Sequence, residues 1–266
     1  MNGGSTKERN RSIVLKSEDE ILRMQEANQI VAEVLTMLQS AVEAGMTTWE
    51  LDKLAENLCR RRKAKPAFKG YRGFPGSLCV SLNEEVVHGI PSRKRKLKKG
   101  DIVSIDFGVL FKGFYGDSAI TLAVDKVTGE AARLLQVTDE SLLKGIEQVV
   151  SGNRIADISM AIQSHVEANG FSVVKQFVGH GIGTALHEAP EIPNFHQGER
   201  TARLIPGMVL AIEPMVNVGT HKVKVLRDGW TVVTGDGQPS AHFEHSVAVT
   251  ERGPLVLSSR EKMMAV

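Results

Sequence analysis

Cysteine is nearly missing from this chain: its 266 residues include only Cys59 and Cys79, with no Cys-x-x-Cys pair. A disulfide framework and a cysteine-built zinc site are therefore excluded as organising devices. Net charge is nearly missing too. Lys+Arg 33 against Asp+Glu 31 leaves +2, too little for a bulk attraction to nucleic acid. No apolar run approaches the roughly 20 residues that a membrane helix needs. The opening MNGGSTKERNRS is polar and lacks the apolar core of a secretion signal. These absences point to a reducing, cytoplasmic setting. What remains is 42% hydrophobic and 24% charged, which suits one large globular domain or two small ones.

Residues 1–12 read as a flexible tail. Ser17-Glu18-Asp19-Glu20 is a capping box, and Ile21, Met24, Ile30, Val31, Val34, Leu35 and Leu38 follow at helical spacing, with Gly45 as the stop. A second helix starts after Thr47-Thr48 and ends in the basic cluster Arg60–Lys63. Two more run over Thr128–Val150 and Ile155–Asn169, the latter stopped by Gly170. Leu78–Leu82 and Phe171–Val178 read as strands. The helix–helix–strand order of 17–124 returns over 128–250 without a sequence repeat, which suggests a structural duplication. Together this is an α+β chain whose antiparallel strands form the site while paired helices cover the other face.

One stretch organises the rest. Asp101–Val124 holds two apolar, β-rich runs on either side of Lys112-Gly113, each with one carboxylate, Asp106 and Asp117. A hairpin about Phe111–Lys112 pairs position i with roughly 223 − i and sets Asp106 opposite Asp117 on one face. Carboxylates that close resist ionising together unless a cation lies between them. Taken alone, the two read equally well as a turn carboxylate and a strand-edge carboxylate facing water.

Glu213 and Glu244 also lie within or at the end of apolar, strand-like runs, and His180 sits between two glycines. Acids placed this way are costly to bury unless paired, protonated or metal-bound. Four carboxylates and an imidazole can hold two divalent ions. They do not form His-Glu-x-x-His, because His187-Glu188 has no second histidine three residues on. A metal-free carboxylate pair of the glycosidase kind stays open, although it leaves His180 and two acids unused. The glycine-rich aromatic loop 68–76 is either a packed lid or the wall of an apolar pocket. The basic run Arg93–Lys99 is either a solvated loop or a contact to a phosphate-rich partner.

The strings NEEVVHGIP, DIVSIDFGVLFKGFYGDSA, GHGIGTALHE, MVLAIEP and DGWTVVTGDGQPSAHFEH together resemble the pita-bread metallopeptidases of family M24. In detail they are similar to the bacterial type 1 methionine aminopeptidases. The likeness spans 13–258, which implies a single pita-bread catalytic domain with a pseudo-twofold sheet, and leaves 259–266 as a C-terminal tail. It implies removal of N-terminal methionine from nascent chains whose second residue is small, by a monomer that uses two divalent ions (Co, Mn, Fe, Zn or Ni). By the same resemblance Asp106 and Asp117 would hold one ion, and Asp117, His180, Glu213 and Glu244 the other, with Asp117 and Glu244 bridging. Glu213 would accept a proton from water, His187 would contact the scissile carbonyl, and His88 the scissile nitrogen. Phe68, Tyr71, Phe74, Cys79, Leu186 and Trp230 would form the methionine pocket. His245 would support the centre from behind. The chain departs from some relatives at Phe68, Leu186 and His242, and at Gly108, which would open space near the metals. Nascent-chain substrates make Arg93–Lys99 a candidate ribosome contact.

Overall fold

A computed structural model, describing residues 12–198 and 200–260, starts the first helix where the capping box puts it. Helix α1 (Glu18–Ala41) opens with the Ser17 hydroxyl accepting the Glu20 amide at 3.3 Å and the Glu20 carboxylate accepting the Ser17 amide at 2.8 Å. Its inner face buries Met24, Ala27, Val31, Val34, Leu35 and Leu38. Gly45 is not the helix stop. The helix ends at Ala41, and Gly45 serves a later turn, where its amide donates to the Leu97 carbonyl at 2.8 Å. Helix α2 (Thr48–Arg61) has its own capping box from Thr47 and Glu50. Helices α3 (Gly129–Glu147) and α4 (Ile155–Ala168) pack on each other, while α1 lies on the central hairpin. The expected tails, 1–12 and 259–266, fall almost wholly outside the described residues.

Among the described residues the main sheet has nine strands. They are β1 (Lys65–Pro66), β2 (Cys79–Leu82), β3 (Ile102–Phe111), β4 (Phe114–Ala123), β5 (Gly179–Gly181), β6 (Glu188–Ile192), β7 (Val209–Ile212), β8 (Glu244–Thr250) and β9 (Gly253–Val256). They lie in the order β1-β3-β4-β8-β7-β5-β6, with β2 also on β3 and β9 on β8. Every pairing is antiparallel. The stretch 171–178 pairs only at Ser172–Val173; Val174 instead packs with Val86, Val87, Met215 and Val232. A buried irregular segment and a buried strand look alike in an apolar run, which is why the sequence reading overextended it.

The hairpin register differs from the expected one. Strands β3 and β4 meet at Phe111 and Phe114, so the turn is Lys112-Gly113, with φ of 48° and 88°. Positive φ at both central residues marks a type I′ turn, and Gly113 takes the second place at no steric cost. The turn thus sits one residue later than the sequence reading placed it. Asp106 pairs with Ala119 and Asp117 with Gly108, so the two aspartates are diagonal neighbours rather than opposite each other.

That register aligns a row across the sheet. Cys79 lies opposite Asp106, Asp106 opposite Ala119, and Ala119 opposite Glu244. Farther along, His245 pairs with Ile212 and Ala211 with His180, which brings Glu213 beside Glu244. Paired residues share a face and successive residues alternate, so Asp106, Asp117, Glu244, Glu213 and His180 all point to one side. His180 reaches its place only because both its neighbours are glycine. A Cβ on Gly179 would sit 2.3 Å from the Ala211 carbonyl oxygen, and one on Gly181 would sit 2.2 Å from that of Ala189.

Candidate metal centre and active-site cavity

The row opens into a cavity of about 150 Å3. Its walls are Asp106, Asp117, His180, Glu213, Glu244, His88, His187, Phe68, Tyr71, Phe74, Cys79, Leu186, Trp230 and Arg72. Every side chain singled out from the sequence for the ligand, catalytic and pocket roles is among them. Arg72 is the addition.

Three ligand atoms, one each from Asp117, His180 and Glu244, all lie within 4.8 Å of one another. Asp106 Oδ1, Asp117 Oδ1 and Glu244 Oε1 are buried without a hydrogen-bond partner among the described residues. Orphaned carboxylate oxygens are expensive inside a protein, and a shared cation is what satisfies several at once. Titration points the same way. Burial first, and then the neighbouring acids, push Asp117 and Glu244 well above the carboxylate range. Asp106 is raised to about 7 by burial, with Glu213 adding to the rise and His242 opposing it. Burial also raises Glu213 to about 7, against the pull of His180. The donor set therefore fits a divalent cation.

His180 is prepared as a donor. Its Nδ1 lies 2.9 Å from the Gly181 carbonyl, which can only accept, so Nδ1 carries the proton and Nε2 presents its lone pair. Nε2 faces Glu213 Oε1 at 3.6 Å, and the buried His242 Nε2 faces the other carboxylate oxygen at the same 3.6 Å. The framework behind is tied by the Ser118 hydroxyl donating to the Glu244 carbonyl at 2.6 Å and the Ser246 hydroxyl donating to that of Asp117 at 2.8 Å.

His187 stands at the mouth of the cavity. Tyr71 Oη lies 2.9 Å from its Nδ1, the two rings stack at 5.3 Å, and the His180 ring is 4.2 Å away between centroids. Desolvation first, then the charges of His180 and Arg72, hold His187 below its usual pKa, so it is neutral near pH 7. His88 is pushed down to about 4 by burial. Its backbone is left-handed at φ 60°, and its ring meets Phe177 and Trp230 edge-on. The apolar end of the cavity is shaped by Phe74 against Trp230 at 5.2 Å, with Leu186 and Cys79 buried beside them.

Two expectations need correcting. Gly108 opens no space, because Phe68 fills it: a Cβ on Gly108 would meet Phe68 Cε1 at 2.8 Å and Asp117 Oδ1 at 3.1 Å. His245 does not back the centre. Alternation along β8 turns it away from Glu244, and its Nδ1 pairs with the Ser258 hydroxyl at 2.8 Å. Arg72 was missed by the sequence reading. It lies between Gly70 and Gly73, is itself left-handed at φ 49°, and holds its guanidinium 5.4 Å from the Tyr71 ring. The glycines on either side were the available signal.

The sequence model of metallopeptidase family M24 matches residues 22–251. The chain belongs to this family. It is 53% identical over 246 residues to the methionine aminopeptidase of Clostridium perfringens, covering 92% of this chain and 98% of that protein. To methionine aminopeptidase 1 of Bacillus subtilis it is 51% identical, covering 91% and 97%. The solved methionine aminopeptidase of Thermotoga maritima superposes with a TM-score of 0.92 at 43% identity, covering 93% of this chain and 100% of that one. The prolidase of Pyrococcus furiosus shares the fold alone, at 21% identity and a TM-score of 0.77, with 66% of its length matched. The fold is thus the expected pita-bread α+β arrangement, and M24 membership implies that the chain uses divalent metal. No helix among the described residues is long and apolar enough to cross a membrane.

Proposed function

We propose that this chain removes N-terminal methionine from nascent polypeptides whose second residue is small, by metal-assisted hydrolysis in the cytoplasm. The observation that carries this reading is one cavity walled by the carboxylate–imidazole row at one end and by Phe74, Trp230, Leu186 and Cys79 at the other. A linear thioether suits such a slot and gains sulfur–aromatic contact. Asp106 and Asp117 would hold one divalent ion, and Asp117, His180, Glu213 and Glu244 a second, with Asp117 and Glu244 shared. Mn, Fe, Co, Ni and Zn all suit such a mixed oxygen and imidazole set. Bound there, the ions supply Lewis acidity that brings loss of a water proton near neutrality.

The chain's own groups do the rest. Glu213 accepts the proton of the attacking water and hands it toward the departing amine. The role given to His187 requires Tyr71 Oη to donate to Nδ1 and leave the imidazole proton on Nε2, where it donates to the scissile carbonyl as charge builds on oxygen. His88 contacts the scissile nitrogen. The aromatic walls exclude water from the methionine side chain and fix the bond over the carboxylates.

The test is release of methionine from Met-Ala-Ser, with Ala-Pro peptides as the alternative that a prolidase would favour. Expected are methionine release lost on metal removal and regained on add-back, and no cleavage of Ala-Pro. Cleavage of Ala-Pro alone, or activity that survives metal removal, would overturn the assignment.

The ribosome contact belongs to the same reading. Arg95 is engaged by Glu85 at 2.5 Å, Lys99 by Asp125 at 3.0 Å, and Arg93 stacks on Trp49, while Lys94, Lys96 and Lys98 are exposed. Co-sedimentation with ribosomes at low salt is expected to fade as salt rises. Neutralising those three lysines without weakening it would refute the contact.

A further inference from the structure

Lys16 sits in the strap that precedes α1, distant in sequence from the cavity, yet its ammonium is buried. Nζ donates to Glu188 Oε2 at 2.5 Å and to the Val14 carbonyl at 2.9 Å, and the two side chains are 3% and 9% exposed. The other Glu188 oxygen, Oε1, accepts the Ala185 amide at 3.0 Å and the Thr184 hydroxyl at 3.4 Å. Glu188 thereby closes loop 183–188 around its own carboxylate, and that loop carries Leu186 and His187 into the cavity. Thr184 and Ala185 are exposed, so the front of the loop, ahead of the buried Leu186, is held by this carboxylate rather than by packing. Gly183 lies directly on the pair: a Cβ there would meet Lys16 Cε at 2.5 Å and Glu188 Oε1 at 2.7 Å. The strap is fixed in turn by the Lys16 amide, which donates to the Gly207 carbonyl at 2.7 Å, just ahead of β7.

Replacing a buried ion pair by apolar groups of like volume is often neutral for stability, so stability gives little reason to keep one. We propose that the Lys16–Glu188 pair is a positioning device for catalysis, holding loop 183–188 so that His187 and Leu186 keep their places in the cavity. The proposal rests on the role given to His187 above. Neither Lys16 nor Glu188 lines the cavity, so both act through the loop.

The decisive variant is Lys16→Met with Glu188→Leu, which removes both charges and leaves neither stranded. Expected are a melting temperature close to the parent's and kcat on Met-Ala-Ser lower by roughly tenfold to a hundredfold, the range that small misplacements of catalytic groups produce. KM should change less, and the 184–187 amides should exchange hydrogen faster. Lys16→Arg, which keeps the charge, should retain kcat and protection. Gly183→Ala wedges the pair apart with every charge in place; it should also lower kcat, and it gives the answer if the double variant does not fold. A folded double variant, or Gly183→Ala, with kcat and amide exchange within twofold of the parent would overturn the proposal. If the parent itself releases no methionine, the assignment of function fails instead, and amide exchange still reports on the loop.

Discussion

Exchanging Asp117 for asparagine is expected to lower kcat/KM on Met-Ala-Ser by roughly 10³-fold, the several kcal/mol that Lewis-acid assistance supplies. The metal-free variant should nevertheless be more stable than the metal-free parent at alkaline pH. Asp117 belongs to the three-residue donor group, has a buried orphan oxygen, and is the carboxylate shared between the two proposed ions. Asparagine keeps its shape and loses its charge, so the cavity survives while the affinity for divalent metal falls. Calorimetric titration with metal should find the parent's binding and little or none in the variant.

The stability side follows from the raised carboxyl groups. An acid whose folded pKa exceeds its unfolded value binds its proton more tightly in the native state. Its contribution is complete below the unfolded pKa and is lost as pH rises through the folded one. Asp106 and Glu213, at about 7, complete most of that loss by neutrality, and Asp117 and Glu244, pushed the same way by burial and by their neighbouring acids, add to it. Histidines held low, such as His88 at about 4, are neutral in both states above about pH 7.5 and drop out. At alkaline pH, where those histidines no longer contribute, the raised carboxyl groups should therefore leave the metal-free parent with a lower melting temperature than the variant. The Asp117→Asn variant lacks one of the raised groups and should lose less stability as pH rises. Divalent metal should rescue the parent and leave the variant unmoved. Equal melting temperatures for the two metal-free proteins at neutral and at alkaline pH would mean that the carboxylates do not crowd one another.

The sequence carried the helices and the site's membership further than its geometry. Capping boxes at Ser17 and Thr47 are local hydrogen-bond patterns, so the starts of α1 and α2 could be read from a few residues each. The convergence of Asp106, Asp117, His180, Glu213 and Glu244 was legible because an acid in an apolar run has few ways to exist. The register was not, since moving a turn by one residue leaves the alternation of apolar and polar positions intact while shifting every partner by two. Strand β6 was unreadable for a different reason. Glu188–Ile192 is a sequence of low β-propensity, and it pairs only because β5 has an edge to offer. Phe68 against Gly108 and Lys16 against Glu188 join residues far apart in the chain, and no local pattern announces either. Arg72 reached the cavity through a left-handed backbone that only its flanking glycines hinted at.

His187→Phe is expected to lower kcat by about 10²–10³-fold, the cost of removing one donor to a developing oxyanion, with KM for Met-Ala-Ser changed much less. Phenylalanine keeps a ring to stack on Tyr71 and removes both nitrogens, so the result separates hydrogen bonding from packing. Tyr71→Phe makes the complementary change. It keeps the stack and deletes the hydroxyl 2.9 Å from Nδ1, so the partner proposed to hold the imidazole proton on Nε2 is gone. The loss there should be smaller, roughly tenfold, the low end of what removing an outer hydrogen-bond partner costs. Because the two side chains act as a unit, the double variant should be little worse than His187→Phe alone. Losses in the single variants that multiply in the double would separate Tyr71 from His187. A kcat for His187→Phe within threefold of the parent would remove the imidazole from the chemistry, leaving polarisation of the carbonyl to the divalent ions that the carboxylates would hold.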